Sequence, residues 1–300
     1  MTRALTLAGL AICTATFAAP AAAQTTSGGD FTWSRAMTAG ASLSVADFNG
    51  RIEVHQATGD RAEVRATYRS GESNDSRITI AVDTSGSDVA ICTVYRRDLE
   101  DAGRHPCHDN DRSNYGGRTP RIDFTVLIPA NLRVHVATGN GDVAVDRAGA
   151  SVSAATGNGD VTIGQTTGTV TAATGNGDVR VDQAGGPVKV TTGNGRVHVA
   201  TSSGPVSAST GNGPIDVTMK QLSDGGNMSF TSGSGSITIT LPAEYNGEVD
   251  MVSGSGSLHS DFPIKVTGRL NPQHIRGTIG NGGPLLRLVT GSGSIDLRKF

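Results

Sequence analysis

In the stretch Asp160-Val161-Thr162-Ile163 polar and apolar side chains alternate, a turn follows from Gly164 to Gly168, and Thr169-Val170-Thr171-Ala172 alternates again. A period of two marks a half-buried strand, with Val161, Ile163, Val170 and Ala172 on one inner face. The flanking segments keep that register: Val143, Val145 and Val152 precede it, and Val179, Val181, Val188, Val190, Val197, Val199 and Val206 follow. A slip of one residue would turn all of them outward, so the pattern fixes the faces as well as the strands. Each unit is expected to hold two short strands and two corners.

The corners carry a repeat. Thr-Gly-Asn-Gly begins at Thr138, Thr156, Thr174, Thr192 and Thr210, an unbroken interval of 18 residues, and degenerate copies begin at Ser232, Ser253 and Thr290. A unit of this size cannot bury its apolar face alone and has to stack on its neighbours. The expected fold is therefore all-β, a single-stranded parallel β-solenoid (β-helix) with 18–21 residues per coil. Gly-Asn-Gly suits a tight corner because Gly accepts positive φ and Asn tolerates the left-handed region better than other residues. With coils about 4.8 Å apart, Asn140, Asn158, Asn176, Asn194 and Asn212 should align into a structural ladder of bonded amides. A ligand-binding row is the alternative reading of the same column.

Asp142, Asp160 and Asp178 follow the corner in three consecutive coils. Like charges about 5 Å apart in water repel by somewhat under 1 kcal/mol, which a turn hydrogen bond or a weakly held surface cation could offset. The calcium-binding nonapeptide Gly-Gly-x-Gly-x-Asp has half this period, but here Asp follows the second Gly directly and the other half-repeat carries no Asp. No metal site is assigned to the column.

Upstream, residues 24–133 read as an irregular β-rich N-terminal part, and 134–300 as the repeat solenoid. Phe48-Asn49-Gly50-Arg51-Ile52-Glu53-Val54 looks like an early, diverged corner and strand, with further strands at Glu63 to Tyr68 and Arg77 to Val82. Phe31 and Trp33 are expected to cover the first coil, since an open solenoid end exposes apolar interior and unpaired backbone. Residues 96–121 break the pattern with six basic and five acidic residues among Gly and Pro, the composition of an inserted loop. That loop holds His105, Cys107, His108, Asp109 and Asp111, types that could ligate zinc. No second ligand cluster accompanies them, and in an oxidising compartment a Cys92–Cys107 disulfide is the favoured fate of the two cysteines.

Export follows from the first 23 residues: Arg3, an apolar stretch from Ala4 to Phe17 too short to span a bilayer, and Ala21-Ala22-Ala23 before Gln24. Cleavage is expected at Ala23-Gln24, releasing a periplasmic or extracellular chain with no transmembrane segment. Ile12 before Cys13 argues against a lipoprotein. The formal net charge of −2, and the absence of a basic stripe interleaved with aromatics, exclude a nucleic-acid binder. With 41 Gly, one Trp and 4% aromatics the chain is rich in turns, yet its regular Val and Ile positions separate it from disordered linkers.

Catalytic residues cannot be picked out. The seven His are scattered, no Gly-x-Ser-x-Gly elbow occurs, and the Gly-x-Gly corners precede no helix, so no cofactor is expected. A polysaccharide-acting β-helix enzyme is the runner-up, lacking an identifiable carboxylate pair and aromatic sugar platforms. Ice binding would need flat paired Thr rows, whereas these Thr stand singly beside a corner. The remaining reading is a structural or interaction module with an envelope protein or glycan as partner, or self-association through solenoid edges.

Asn49-Gly50-Arg51-Ile52, the Thr-Gly-Asn-Gly-Asp-Val repeats and the ending Ile279-Gly280-Asn281-Gly282-Gly283-Pro284-Leu285 with Thr290-Gly291-Ser292-Gly293-Ser294-Ile295 resemble the bacterial putative-adhesin family of β-strand-repeat domains. The likeness covers residues 40 to 300 and is strongest from 134 onward. It implies a right-handed parallel β-solenoid at the cell envelope, without an established activity and without catalytic residues.

Overall fold

The computed structural model describes residues 24–26, 30–69, 78–96, 107, 120–201, 203–222, 225–266 and 271–300. The expected signal segment, and His105, His108, Asp109 and Asp111, lie outside them. Among the described residues every element is a β-strand, as suits branched side chains that prefer a pleated, half-buried surface.

Each repeat gives one strand to each of two facing sheets. Val152–Asn158 runs in a sheet of 14 strands, the chain turns at Gly159, and Val161–Thr166 runs in a sheet of 12 before the chain returns to Val170–Asn176. Pairing is parallel and steps by one repeat. Val152 stands opposite Val134 and Val170, and Val161 opposite Val143 and Val179. The inward residues of both sheets meet in one continuous core, and the expected inner positions from Val143 to Val206 are all at most 2% exposed.

At both ends the spatial order departs from chain order. Ser42–Asn49 and Ile52–Gln56 form a coil beside Arg133–Asn140 and Val143–Ala148, so the ladder crosses residue 133 without a break. Outside that first coil lie Asp88–Tyr95 and Ile122–Ile128, which come later in the chain. Antiparallel strands then complete the cap: Ile78–Ser85 and Gln24–Thr26 on the larger sheet, Arg61–Tyr68 and Phe31–Ala36 on the smaller. Phe31 is buried in the core and Trp33 is half-buried against it.

The other end is arranged alike. Leu285–Ser292 and Ile295–Lys299 sit between the coil of Met228–Ser234 and Ile237–Leu241 and the coil of Gly247–Ser255 and Leu258–Ser260. His274–Ile279 and Ile264–Val266 then close the larger sheet antiparallel. No helix of the described residues is long and apolar enough to cross a membrane.

Candidate interaction surface

The Gly corner stacks into a continuous edge, and its two glycines serve different ends. Gly159 has φ 142°, a region that other residues rarely adopt, and among the described residues no non-Gly residue has positive φ. The expected left-handed Asn is therefore not found. Asn158 ends its strand in extended backbone, where its amide keeps register with its neighbours, and the turn falls on Gly159. Gly157 has ordinary backbone but no room: a Cβ there would lie 2.5 Å from the Gly139 carbonyl oxygen of the coil below.

Along this edge the exposed amides bond to one another. Asn158 Nδ2 donates to Asn140 Oδ1, Asn176 to Asn158, Asn194 to Asn176 and Asn212 to Asn194, each at 2.8 Å. The aspartates beside them also act between coils. Asp142 Oδ1 accepts the Asp160 N–H at 3.0 Å, Asp160 Oδ1 the Asp178 N–H at 2.8 Å, and Asp178 Oδ1 the Arg196 N–H at 2.7 Å. Pro214 occupies the next place in that column and has no N–H to satisfy. In register, Arg51 stands beside Asp142 at one end of the column and Arg196 beside Asp178 at the other. Among the described residues no group of three or more His, Cys, Asp or Glu is arranged to hold a metal ion.

The Thr of the corner motif turns inward. Thr156 Oγ1 donates to the Gly141 carbonyl of the preceding coil at 2.8 Å, Thr174 to Gly159 at 2.9 Å and Thr192 to Gly177 at 3.0 Å, and Ser232, Thr290 and Ser253 make the same bond in the degenerate copies. These hydroxyls are buried, so an unmade bond would cost about 1–3 kcal/mol each. In the first coil the position is occupied by Asp47, opposite Thr138 on one side and one residue beyond the Ala46–Cys92 pair on the other. Its signal in the sequence was alignment of Asn49-Gly50 with Asn140-Gly141, which sets Asp47 against Thr138.

Asp47 is 3% exposed, and burial pushes its carboxyl up to about 7 despite hydrogen bonds from Thr93, Phe48 and Asn49. A perturbed acid usually flags a reactive site when it lies in a cleft. This one is sealed between coils, out of reach of a substrate. Nearby Asp123 behaves oppositely: its partial burial favours the neutral acid, but the Arg51 N–H and the Arg121 and Arg69 guanidinium groups outweigh that and hold it below the usual carboxylate range.

The outer faces carry mixed side chains. On the smaller sheet Arg180, His198 and Asp216 follow one another, with Arg180 paired to Asp182 at 2.6 Å and His198 3.9 Å from Asp216. On the larger sheet Ser153, Thr171, Lys189 and Ser207 form a row, and near the far end His274 Nε2 meets Asp250 Oδ1 at 2.9 Å. A cavity of about 260 Å³ opens where the 18-residue interval lapses, lined by Leu222, Met228, Pro242, Glu244, Tyr245 and Pro284 among others. Burial lifts the Tyr245 hydroxyl to about 12. It therefore stays protonated and is a poor acid or base at neutral pH.

Cys92 and Cys107 are bonded, with Cα atoms 5.6 Å apart. Cys92 lies with Ala81 and Val94 in a small second core outside the main one, and Cys107 rests on the carbonyls of Ala81 and Ala90. The bond thus fixes Cys107 against the outer face of the cap.

No curated protein matches the chain. Among solved structures it is similar to a putative adhesin from Parabacteroides merdae, at 12% identity over 91% of this chain and 97% of that one, with a TM-score of 0.42. It is also similar to a putative cell adhesion protein from Clostridium sporogenes, at 9% identity over 91% and 100%, with a TM-score of 0.27. A putative adhesin from Bacteroides fragilis gives 9% identity over 90% and 97%, with a TM-score of 0.34. Scores this low carry nothing about function. The family match is firmer: residues 113–298 fit Toastrack DUF4097, the span that holds every Gly-Asn-Gly corner from Asn140 onward, and the chain belongs to that family.

Proposed function

We propose that the protein is an exported, non-enzymatic β-solenoid that serves as a structural or adhesin-like interaction module of the bacterial cell envelope, with a right-handed coil and an envelope protein or glycan as its partner. One observation carries this reading. The polar groups of the repeat's corner are engaged in coil-to-coil bonds, the Asn amides on one another and the Asp carboxylates on the next N–H. What faces outward is an extended, repeating surface suited to weak distributed contacts.

Fractionation of cells producing the protein, followed by crosslinking in place, tests it. The expected outcome is recovery with the envelope, a mature chain starting at Gln24, and a crosslinked protein or glycan whose capture survives loss of any single polar residue in the repeats. Glycan, peptide or ester turnover abolished by one Asp or Glu substitution that leaves the fold intact would overturn the reading in favour of an enzyme.

A further inference from the structure

We propose that Asp47 is a proton-operated latch between the first coil and the strand Ile122–Ile128 stacked outside it, closed when its carboxyl is protonated and donates to the Ile122 carbonyl, and released when the carboxyl ionises. The geometry comes from the Thr column. Each Thr or Ser of that column gives its hydroxyl proton to a corner carbonyl of the adjacent coil. Asp47 holds the same place, and the carbonyl in the corresponding position below it belongs to Ile122.

The far end of the solenoid supplies the measure. A Cβ built on Gly256 would lie 2.1 Å from the Gly293 oxygen and 3.1 Å from Ser253 Oγ, and those two oxygens share a hydrogen bond of 2.9 Å. A Cβ built on Gly50 would lie 1.9 Å from the Ile122 oxygen and 2.8 Å from Asp47 Oδ2. Asp47 Oδ2 thus flanks Gly50 on the side of the Ile122 carbonyl, as Ser253 Oγ flanks Gly256 on the side of the Gly293 carbonyl. Two bare oxygens in that relation repel, whereas a proton on Oδ2 turns the contact into a bond.

The two oxygens of the carboxyl are unlike. Oδ1 accepts from Phe48 N–H at 2.8 Å and Thr93 Oγ1 at 3.0 Å, and the Asn49 N–H also acts on the carboxyl. Oδ2 is buried and no hydrogen bond reaches it. The proton belongs on Oδ2.

The charged and titratable groups around it leave this assignment standing. Strand Asp88–Tyr95 presents Thr93, with Tyr95 stacked on Phe48 at 5.0 Å. Strand Ile122–Ile128 presents Asp123, whose negative charge further disfavours a second carboxylate and whose own neutralisation comes from Arg69 and Arg121. The coil above presents Thr138, which bonds to the Gly50 carbonyl at 3.0 Å, and Asp142. On its own coil Arg51 is engaged with Glu53 at 3.0 Å. No cation is directed at Asp47 among these contacts.

The sign follows from linkage. A carboxyl near 7 in the folded state and near 3.8 when unfolded holds its proton in the fold, so its stabilisation is full below the lower value and lost as pH rises through the upper. Between pH 5 and pH 8 the equilibrium for opening the seam should shift by about a hundredfold. Hydrogen exchange of the Phe124 and Ala57 amides, which donate to the Arg51 and Ile128 carbonyls across that seam, reads the shift once corrected for intrinsic exchange.

In the full chain the protection of these amides should fall about a hundredfold over that range. In Asp47→Asn, whose Nδ2–H donates to Ile122 at any pH, it should stay level. Equal pH dependence in the two proteins would overturn the latch. Should the variant fail to fold, ¹³C carboxyl titration of the unmodified chain decides: a midpoint near neutrality supports the latch, and one in the ordinary carboxylate range overturns it.

Discussion

The repeat array from Arg133 to Met219 and the cap that precedes it use the same two-sheet plan with different interiors. In the array every inward place is Val, Ile, Ala, Thr or Met, and the columns run through coil after coil. In the cap the interior holds Leu43, Ile78, Ile80, Ile91, Ile122, Phe124 and Leu132, each in its own setting, and strands turn antiparallel. Uniform positions make coils interchangeable, which specifies stacking but no end to it. Large, unrepeated side chains supply the end, because a neighbouring coil of Val and Ala would leave voids against them.

That contrast can be broken from the array side first. Val179→Asp should place an unpaired carboxylate in the narrow interior and cost about 5 kcal/mol, while Arg180→Asp, outward and one residue away, should cost at most about 1 kcal/mol. Chemical denaturation of the two variants checks the register: equal losses would mean the faces are misassigned. Next comes the cap. Removing the disulfide by Cys92→Ser with Cys107→Ser opens a loop of 15 residues and should cost up to about 3 kcal/mol. Limited proteolysis should show cleavage confined to the cap, and simultaneous loss of the array would show that the two regions melt as one.

Glycines sharpen the comparison further. Gly157→Ala would force a Cβ to 2.5 Å from a backbone oxygen and should cost about 2–3 kcal/mol, whereas at Gly59 the Cβ meets open space and Gly59→Ala should be neutral or slightly stabilising. Thermal melts that move together would refute close stacking as the reason for the first corner glycine. The smallest effect is expected at the ladder: Asn176→Ala removes two exposed amide bonds and should cost about 1 kcal/mol. A loss of several kcal/mol there would assign the ladder a far larger share of coil stacking than net hydrogen-bond energies allow.

Much of this was legible in the sequence, for a physical reason. Val161, Ile163, Val170 and Ala172 state their face by alternation, and repetition states their partners, since residues one interval apart must be neighbours in a stack. The Asn column could be read in the same way. The ends could not. Nothing in the order of residues says that Asp88–Tyr95 stacks outside Ser42–Asn49, because that choice depends on which long-range pairing buries Phe124 and Ile91 best. The corner Thr had been placed beside the turn without an acceptor, and the acceptor appears only when the coil below supplies its carbonyl. Asp47 was missed for the same reason: a lone Asp in a strand gains its meaning from the hydroxyl column it interrupts.

The intercalated coil at the far end also sets how the molecule bears load. Tension entering through Ile295–Lys299 meets backbone ladders on both sides, to Ile237–Leu241 and to Leu258–Ser260, and has to shear them together. Tension entering through Gln24–Thr26 meets a single three-residue ladder at a sheet edge. The two ends of the ladder are thus bonded unequally, on both sides at one and on a single short side at the other.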